Sequence, residues 1–316
     1  MNQTANLNAT LDEAAYLLDL QAQTISIEAW AVTAISLFQI IFLAVVVYTE
    51  TRPHEGLPTP AVFSPINIVL LCLIICNCGQ CLSYWQYWIY LDPVIELVTY
   101  GVEACFGATV LFFVMLYSWI RGRNIVELVM PRIVPFFPAW LSLYAASLTT
   151  ATTLSILASD ISDEFITAFN FTSILTAIML LTFDLLVGVC YIMYLRRMRG
   201  TRVADHGRLR IVSVYGCTST AWMTAWFTVQ ELIRFMQWDA CTLLYVVLNA
   251  FAMGMPTAFI LIQIVMKVAL YRERRREAAD RRDTVEQAKC AILTSPSQVS
   301  QTRASSGLNA LSLGYQ

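Results

Sequence analysis

The chain has 316 residues, of which 58% are hydrophobic and only 13% are charged. A typical soluble domain has roughly a quarter of its residues charged. This composition therefore argues against a soluble globular protein, a disordered protein and a protein that binds nucleic acid. The formal net charge is −2, and nine cysteines in a chain of this length do not indicate a disulfide scaffold. We predict an integral membrane protein.

Stretches without charged residues predict seven membrane spans. A helix that crosses the ~30 Å hydrocarbon core of a bilayer needs about 20 apolar residues. Five such stretches contain no charged residue, and two more contain a single acid, Glu103 or Asp184. In chain order, the seven stretches are 29–49, 56–91, 97–120, 133–159, 165–195, 211–230 and 240–266. We expect an all-α, seven-helix bundle with the topology of G protein-coupled receptors.

Basic residues lie almost entirely in one set of the predicted loops. The segment before the first span and the turns near 91–93 and 160–164 contain neither Lys nor Arg. Of the 20 basic residues, only Arg234 falls on that side, and Arg121 is assigned to a loop on the other side. Because Lys and Arg concentrate in cytosolic loops, we predict an N-terminus outside the cell or in a lumen. The C-terminus is then cytosolic.

The charge pattern and composition divide the chain into four predicted parts. They are an outer or luminal N-terminal tail (1–26), the bundle (27–268), a charged cytosolic helix (269–293) and a disordered cytosolic tail (294–316). The N-terminal tail contains two sequons for N-glycosylation, which begin at Asn2 and Asn8. Both lie on the translocated side of the predicted topology, and we expect a glycoprotein.

The few histidines and lysines argue against catalysis. His54 and His206 both lie in predicted cytosolic loops, whereas an intramembrane zinc hydrolase needs imidazoles within the bundle. A Ser or Cys nucleophile also needs a base beside it. A retinal protein needs a lysine deep in a span, and the two lysines, Lys267 and Lys289, lie at the inner end of the last span and in the tail. We predict no enzyme, no cofactor and no metal.

Polar residues within the spans are the candidates for a ligand site or an intramembrane polar site. Ionisable groups at this depth are costly and tend to face the interior of the bundle. With no cation at matching depth, Glu103 and Asp184 suggest a ligand contact, an ion or proton site, or a conformational switch. Threonines in the sixth span fit such a site, but they are also common packing residues between membrane helices. The candidates are Asn77, Glu103, Asp184, Thr220, Thr224, Thr228 and Asn249.

Two groups of arginines form a predicted surface for anionic lipid or cytosolic proteins. Basic residues beside a membrane are attracted to its anionic inner leaflet. The first group lies in the third cytosolic loop and the second in the charged helix. The residues are Arg196, Arg197 and Arg199, and then Arg272, Arg274, Arg275 and Arg276.

Three segments resemble a known family of membrane proteins. The first runs from Phe38 to Phe63, the second contains YIMYLRRMR at 191–199 and RLRIVSV at 208–214, and the third ends in MPT at 255–257. Together they resemble the plant tobamovirus-multiplication family and related orphan, receptor-like seven-helix proteins of animal lysosomes. The resemblance implies a non-enzymatic protein of a vacuolar or lysosomal membrane, with its N-terminus outside, that recruits cytosolic partners.

Three functions remain open from the sequence. The first is a receptor-like scaffold whose loop 196–210 and tail bind lipid or protein partners. The second is a sensory receptor for a small ligand, which signals to a G protein or to small-GTPase machinery from the plasma membrane or from a vacuolar or lysosomal membrane. The third is an ion- or proton-coupled transporter that uses Glu103 and Asp184. A homo-oligomer is an open alternative for each of them.

Overall fold

Helices account for almost all of the described structure. The computed structural model describes residues 2–51, 64–89, 93–158, 163–198, 206–235 and 243–293, and this part of the chain contains no strand. It forms seven helices: α1 (Asn2–Thr51), α2 (Pro65–Ile89), α3 (Pro93–Val129), α4 (Phe136–Ala158), α5 (Asp163–Met198), α6 (His206–Phe235) and α7 (Leu243–Leu293). The predicted all-α fold is confirmed.

Five of the helices contain stretches that are long and apolar enough to cross a membrane. These stretches are Ala15–Thr51, Pro65–Ile89, Leu97–Val129, Thr167–Arg197 and Leu243–Gln287. They are compatible with a multi-pass membrane protein. The stretches in α4 and α6 do not belong to this set, although residues 133–159 and 211–230 carry no charge. Seven of the 23 residues of α4 are Ser or Thr, which lower its hydropathy.

The seven helices pack in a closed ring. Each helix contacts the next one in the chain, and α1 contacts α7. Helix α3 also contacts α5 and α6, so it is displaced toward the centre of the bundle. Large apolar side chains such as Phe38, Ile41 and Phe171 are exposed. An apolar outer surface of this kind suits hydrocarbon better than water.

The interior contains two hydrophobic clusters that meet at α3. In one cluster, Leu73 and Tyr117 pack with Phe259 of α7. In the other, Met115 of α3 packs with residues of α4 and α5, including Tyr144. Tyr117 and Met115 therefore face opposite halves of the bundle, which explains why the buried residues of α3 concentrate between Val110 and Val129.

Two predicted boundaries lie inside continuous helices. Helix α1 begins at Asn2, so it includes most of the predicted N-terminal tail, and α7 continues through residues 269–293. The side chains of Asn2 and Asn8 are outside the described ones, as are Arg199 and the predicted tail 294–316. Glycosylation and the role of Arg199 stay predictions.

Candidate functional site

A buried arginine joins four helices. Arg121 of α3 is only 6% exposed. Its Nε donates to the hydroxyl of Tyr191 on α5 at 3.0 Å, and its Nη1 donates to Ser219 Oγ on α6 at 2.8 Å and to Gln263 Oε1 on α7 at 2.7 Å. The guanidinium also lies 5.7 Å from the ring centre of Tyr117 and 5.4 Å from that of Tyr191. A planar group with several fixed donors suits such a junction better than lysine would.

Asp184 of α5 lies in the same polar cluster. Its side chain is buried, and Ser118 donates to its Oδ1 at 3.3 Å. Asp184 also interacts electrostatically with Arg121, and Thr220 lies beside it. The expectation that no cation lies at its depth is wrong. Arg121 was assigned to a loop, but α3 continues past it to Val129. We call Arg121, Asp184 and their partners the Arg121 cluster.

Two glycines make room for the aromatic partner of Arg121. A Cβ atom on Gly216 of α6 would overlap the ring of Tyr191, and one on Gly122 of α3 would lie 3.1 Å from its hydroxyl. The ring of Tyr191 therefore occupies space that any other residue at these positions would restrict. Gly216 lies three residues before Ser219, which accepts a hydrogen bond from Arg121. The glycine therefore allows α6 to approach α3 and α5 at the level of this bond.

The other predicted intramembrane residues do not form one site. Gln80 donates to Glu103 at 3.1 Å between α2 and α3, Asn249 of α7 donates to the Tyr84 hydroxyl at 2.9 Å, and Asn77 donates to the Thr257 hydroxyl at 2.9 Å. The hydroxyls of Thr224 and Thr228 donate to carbonyls one turn earlier in α6. Asp184 and Thr220 alone, of the seven candidates, belong to the Arg121 cluster.

The polar bonds of Asn77 lie beside the proline of α7. Proline has no N–H, so Pro256 leaves the Ala252 carbonyl four residues earlier without its usual donor, and its ring disturbs the helix at this point. Next to Pro256, the indole of Trp222 donates to the Met255 carbonyl at 3.0 Å, and Gln39 donates to the Thr257 carbonyl at 3.1 Å. Side chains of α1, α2 and α6 thus hold α7 at this point. The hydrogen bond from Asn77 to Thr257 therefore has a structural role, which is to help hold α7 against α2.

A cavity of about 210 Å³ lies between α2, α3, α4, α5 and α6. Its polar lining includes Gln80, Thr176 and Glu231, and its apolar lining includes Leu148 and Leu180. This site is not among the sequence predictions. Its aromatic residues, Tyr144, Trp226 and Phe227, lie in charge-free stretches where an aromatic residue usually indicates packing.

Ion pairs connect the C-terminal end of α1, the N-terminal end of α6 and residues 267–277 of α7. Lys267 of α7 pairs with Glu50 of α1 at 2.6 Å, and Arg208 of α6 pairs with Glu277 of α7. The hydroxyl of Tyr271 donates to the Thr49 carbonyl at 3.1 Å. Residues 267–277 of α7, which follow the charge-free stretch 240–266, therefore have fixed contacts with α1 and α6.

The predicted basic residues within the described part of the chain are exposed, and they lie on the helices that these ion pairs connect or next to them. They are Arg196 and Arg197 in the last turn of α5, and Arg272, Arg274, Arg275 and Arg276 on α7. Arg275 lies 5.6 Å from the ring centre of Tyr271, and Arg276 is 3.9 Å from Glu273. Arg196 and Arg197 also suit the negative end of the α5 dipole, which is a purely structural alternative.

The described residues contain no group of three His, Cys, Asp or Glu side chains that could hold a metal ion. Comparisons of the chain with models of protein families and with curated proteins find no match. The resemblance to the tobamovirus-multiplication family therefore stays a prediction.

Proposed function

We propose that this chain is a receptor-like, seven-span membrane protein that recruits cytosolic partners to a basic inner surface. The observation that carries the proposal is the set of exposed arginines on α5 and α7, next to helix ends that ion pairs hold in place. The resemblance to receptor-like proteins of vacuolar and lysosomal membranes supports the same function and suggests one of those membranes.

The closed ring supports seven spans. Helices α4 and α6 fill two positions of the ring between helices that are apolar enough to cross a bilayer. Each contains a charge-free stretch of 20 residues or more, at 136–158 in α4 and 211–230 in α6. The distribution of Lys and Arg then supports an outer or luminal N-terminus.

The length of α7 suits a platform for partners. At 1.5 Å per residue, its 51 residues span about 75 Å, whereas a bilayer with its headgroups is about 45 Å thick. Lys267 and Arg208 neutralise Glu50 and Glu277, so they are already used within the fold. The exposed arginines nearby are then available for acidic partners or anionic lipid.

Paired substitutions with a matched control test this proposal. The test variant is Arg196→Gln/Arg197→Gln. The control is Arg123→Gln/Arg132→Gln, which removes the same charge from exposed arginines around the end of α3. A proximity-labelling enzyme fused after Gln316 identifies the partners and the membrane in living cells.

We expect the test variant to lose most labelled partners while the control keeps them, at equal protein levels in the same membrane. If both variants retain the full set, recruitment through Arg196 and Arg197 is refuted. Labelling of extracellular or luminal proteins by the C-terminal fusion would refute the proposed orientation.

A sensory receptor is the second candidate, because the cavity and the Arg121 cluster share α5 and α6. The transporter alternative requires that Glu103 and Asp184 are carboxylates free to bind an ion or a proton. Glu103 instead accepts a hydrogen bond from Gln80, and Asp184 interacts with Arg121. No further observation favours transport.

A further inference from the structure

We propose that the cavity enclosed by α2, α3, α4, α5 and α6 binds a small, uncharged, mostly apolar molecule. This molecule carries a hydrogen-bond acceptor such as a carbonyl or hydroxyl oxygen. This inference goes beyond recruitment of cytosolic partners, which needs no ligand. It follows from the size of the cavity, from two buried donors in its wall, and from the charges around it.

The size of the cavity limits the ligand. Its volume is about 210 Å³, and an apolar cavity of about 150 Å³ in another protein holds benzene. By proportion, this cavity accepts roughly eight or nine non-hydrogen atoms. The apolar part of the wall comes from Leu111, Leu148 and Leu180, with Phe227 beside them. A single substituted ring or a short branched chain fits these limits.

Two buried donors in the wall require an acceptor. The Tyr144 hydroxyl and the Trp226 Nε1 have no hydrogen-bond partner within the described part of the chain. Tyr144 is fully buried and Trp226 is 6% exposed. An indole N–H can only donate, and leaving such a group buried and unpaired is unfavourable. A carbonyl or hydroxyl oxygen on the ligand would accept from one or both.

The charges near the cavity favour an uncharged ligand. Glu231 lines the cavity. Gln80 also lines it, and its side chain donates a hydrogen bond to Glu103. None of the described lining residues is basic, so an anion would meet only negative charge. Both acids already have an interaction partner. A donor from Trp226 would also oppose a cation, and we therefore expect no charge on the ligand.

Four ring compounds of similar size test the chemistry. They are acetophenone (a carbonyl acceptor), ethylbenzene (no acceptor), 1-phenylethylamine (a cation at pH 7) and benzoate (an anion). Thermal unfolding of the purified full-length protein in lipid nanodiscs is measured at increasing concentrations of each compound. Because a ligand that binds only the folded state stabilises it, acetophenone at about 100 times its Kd should raise the unfolding temperature by roughly 5–10 °C.

Matched variants show whether the effect comes from the cavity. Ala151→Trp fills the space, because Ala151 lines the cavity, whereas Ala146→Trp adds the same group to an exposed position of α4. Only the second variant should keep the response to acetophenone. Tyr144→Phe and Trp226→Phe each keep an aromatic ring and remove one donor. If acetophenone accepts a hydrogen bond from that donor, the substitution should weaken its binding by about tenfold.

Several results would overturn the proposal. Equal stabilisation by ethylbenzene would remove the need for an acceptor, and stronger stabilisation by 1-phenylethylamine would show a cation site. Equal responses of the wild type, Tyr144→Phe and Trp226→Phe would show that neither donor contacts the compound, even if Ala151→Trp did not fold. Partner recruitment is measured separately through Arg196 and Arg197, so failure of one proposal does not decide the other.

Discussion

Replacing Arg121 should destabilise the bundle more than any other single arginine substitution in the described helices. The substitution Arg121→Met keeps a long, flexible side chain but removes three hydrogen bonds, to Tyr191, Ser219 and Gln263. It also leaves the buried Asp184 without its nearby positive charge. Removing one partner of a buried charged pair typically costs about 3–5 kcal/mol.

Membrane hydrogen bonds set a lower bound on this effect. Individual bonds between membrane helices contribute about 0.6 kcal/mol on average, so the three together give roughly 2 kcal/mol without the charge effect. For a bundle of this size, about 3–5 kcal/mol corresponds to a fall in unfolding temperature of roughly 6–20 °C. The single-bond variant Tyr191→Phe should shift it much less.

The assay follows thermal unfolding of the purified protein with a fluorophore that reacts with thiols. Cys81 and Cys190 are buried, so they become reactive when the helices separate. The control is Arg123→Met, the same change two residues along α3, at an exposed arginine whose pair with Glu127 should contribute little. If Arg121→Met and Arg123→Met unfold at the same temperature, the Arg121 cluster does not hold the helices together.

Two further substitutions test neighbouring contacts in the same assay. Gly216→Ala adds a Cβ that overlaps the ring of Tyr191, and overpacking of this kind should cost about 1–3 kcal/mol. The control is Ala221→Leu, which adds side-chain atoms at an exposed position of α6 with little change in helix propensity. Unchanged unfolding of Gly216→Ala would refute the close packing. Glu50→Gln removes the charge that pairs with Lys267 and should cost about 1.5–3 kcal/mol. If the loss is the same when Lys267 is already replaced by Met, the two side chains are not coupled.

Much of the fold could be predicted from the sequence because lipid solvates only a narrow class of structures. A chain that crosses hydrocarbon must satisfy its backbone within each helix, so long charge-free stretches alone predict helices. The stretch 211–230 is an example, and α6 covers it entirely. Helix ends were harder to predict, because charged residues do not end a helix. Helix α7 continues through an arginine-rich segment to Leu293.

The Arg121 cluster could not be predicted because the third predicted span ends just before a charged residue. Arginine marks the cytosolic side in any count of charges along the chain, so Arg121 was assigned to a loop. Its burial depends on Tyr191, Ser219 and Gln263, which lie 70, 98 and 142 residues away in the chain. Residue spacing within one helix cannot show such contacts. An acid inside a long apolar stretch makes Asp184 a candidate from the sequence, but its partner Arg121 could be found only from the three-dimensional arrangement.

The positions of the cavity and the Arg121 cluster define what a sensory function would require. Along α5, Leu180 lines the cavity and Tyr191 follows 11 residues later, or about 16 Å at 1.5 Å per residue. Along α6, Trp226 and Ser219 are about 10 Å apart by the same measure. Two of the helices that enclose the cavity therefore supply acceptors to Arg121. A ligand can act through this connection only if it binds one arrangement of α5 and α6 more tightly than another. The hydrogen bonds of Arg121 are then the contacts that must differ between the two arrangements.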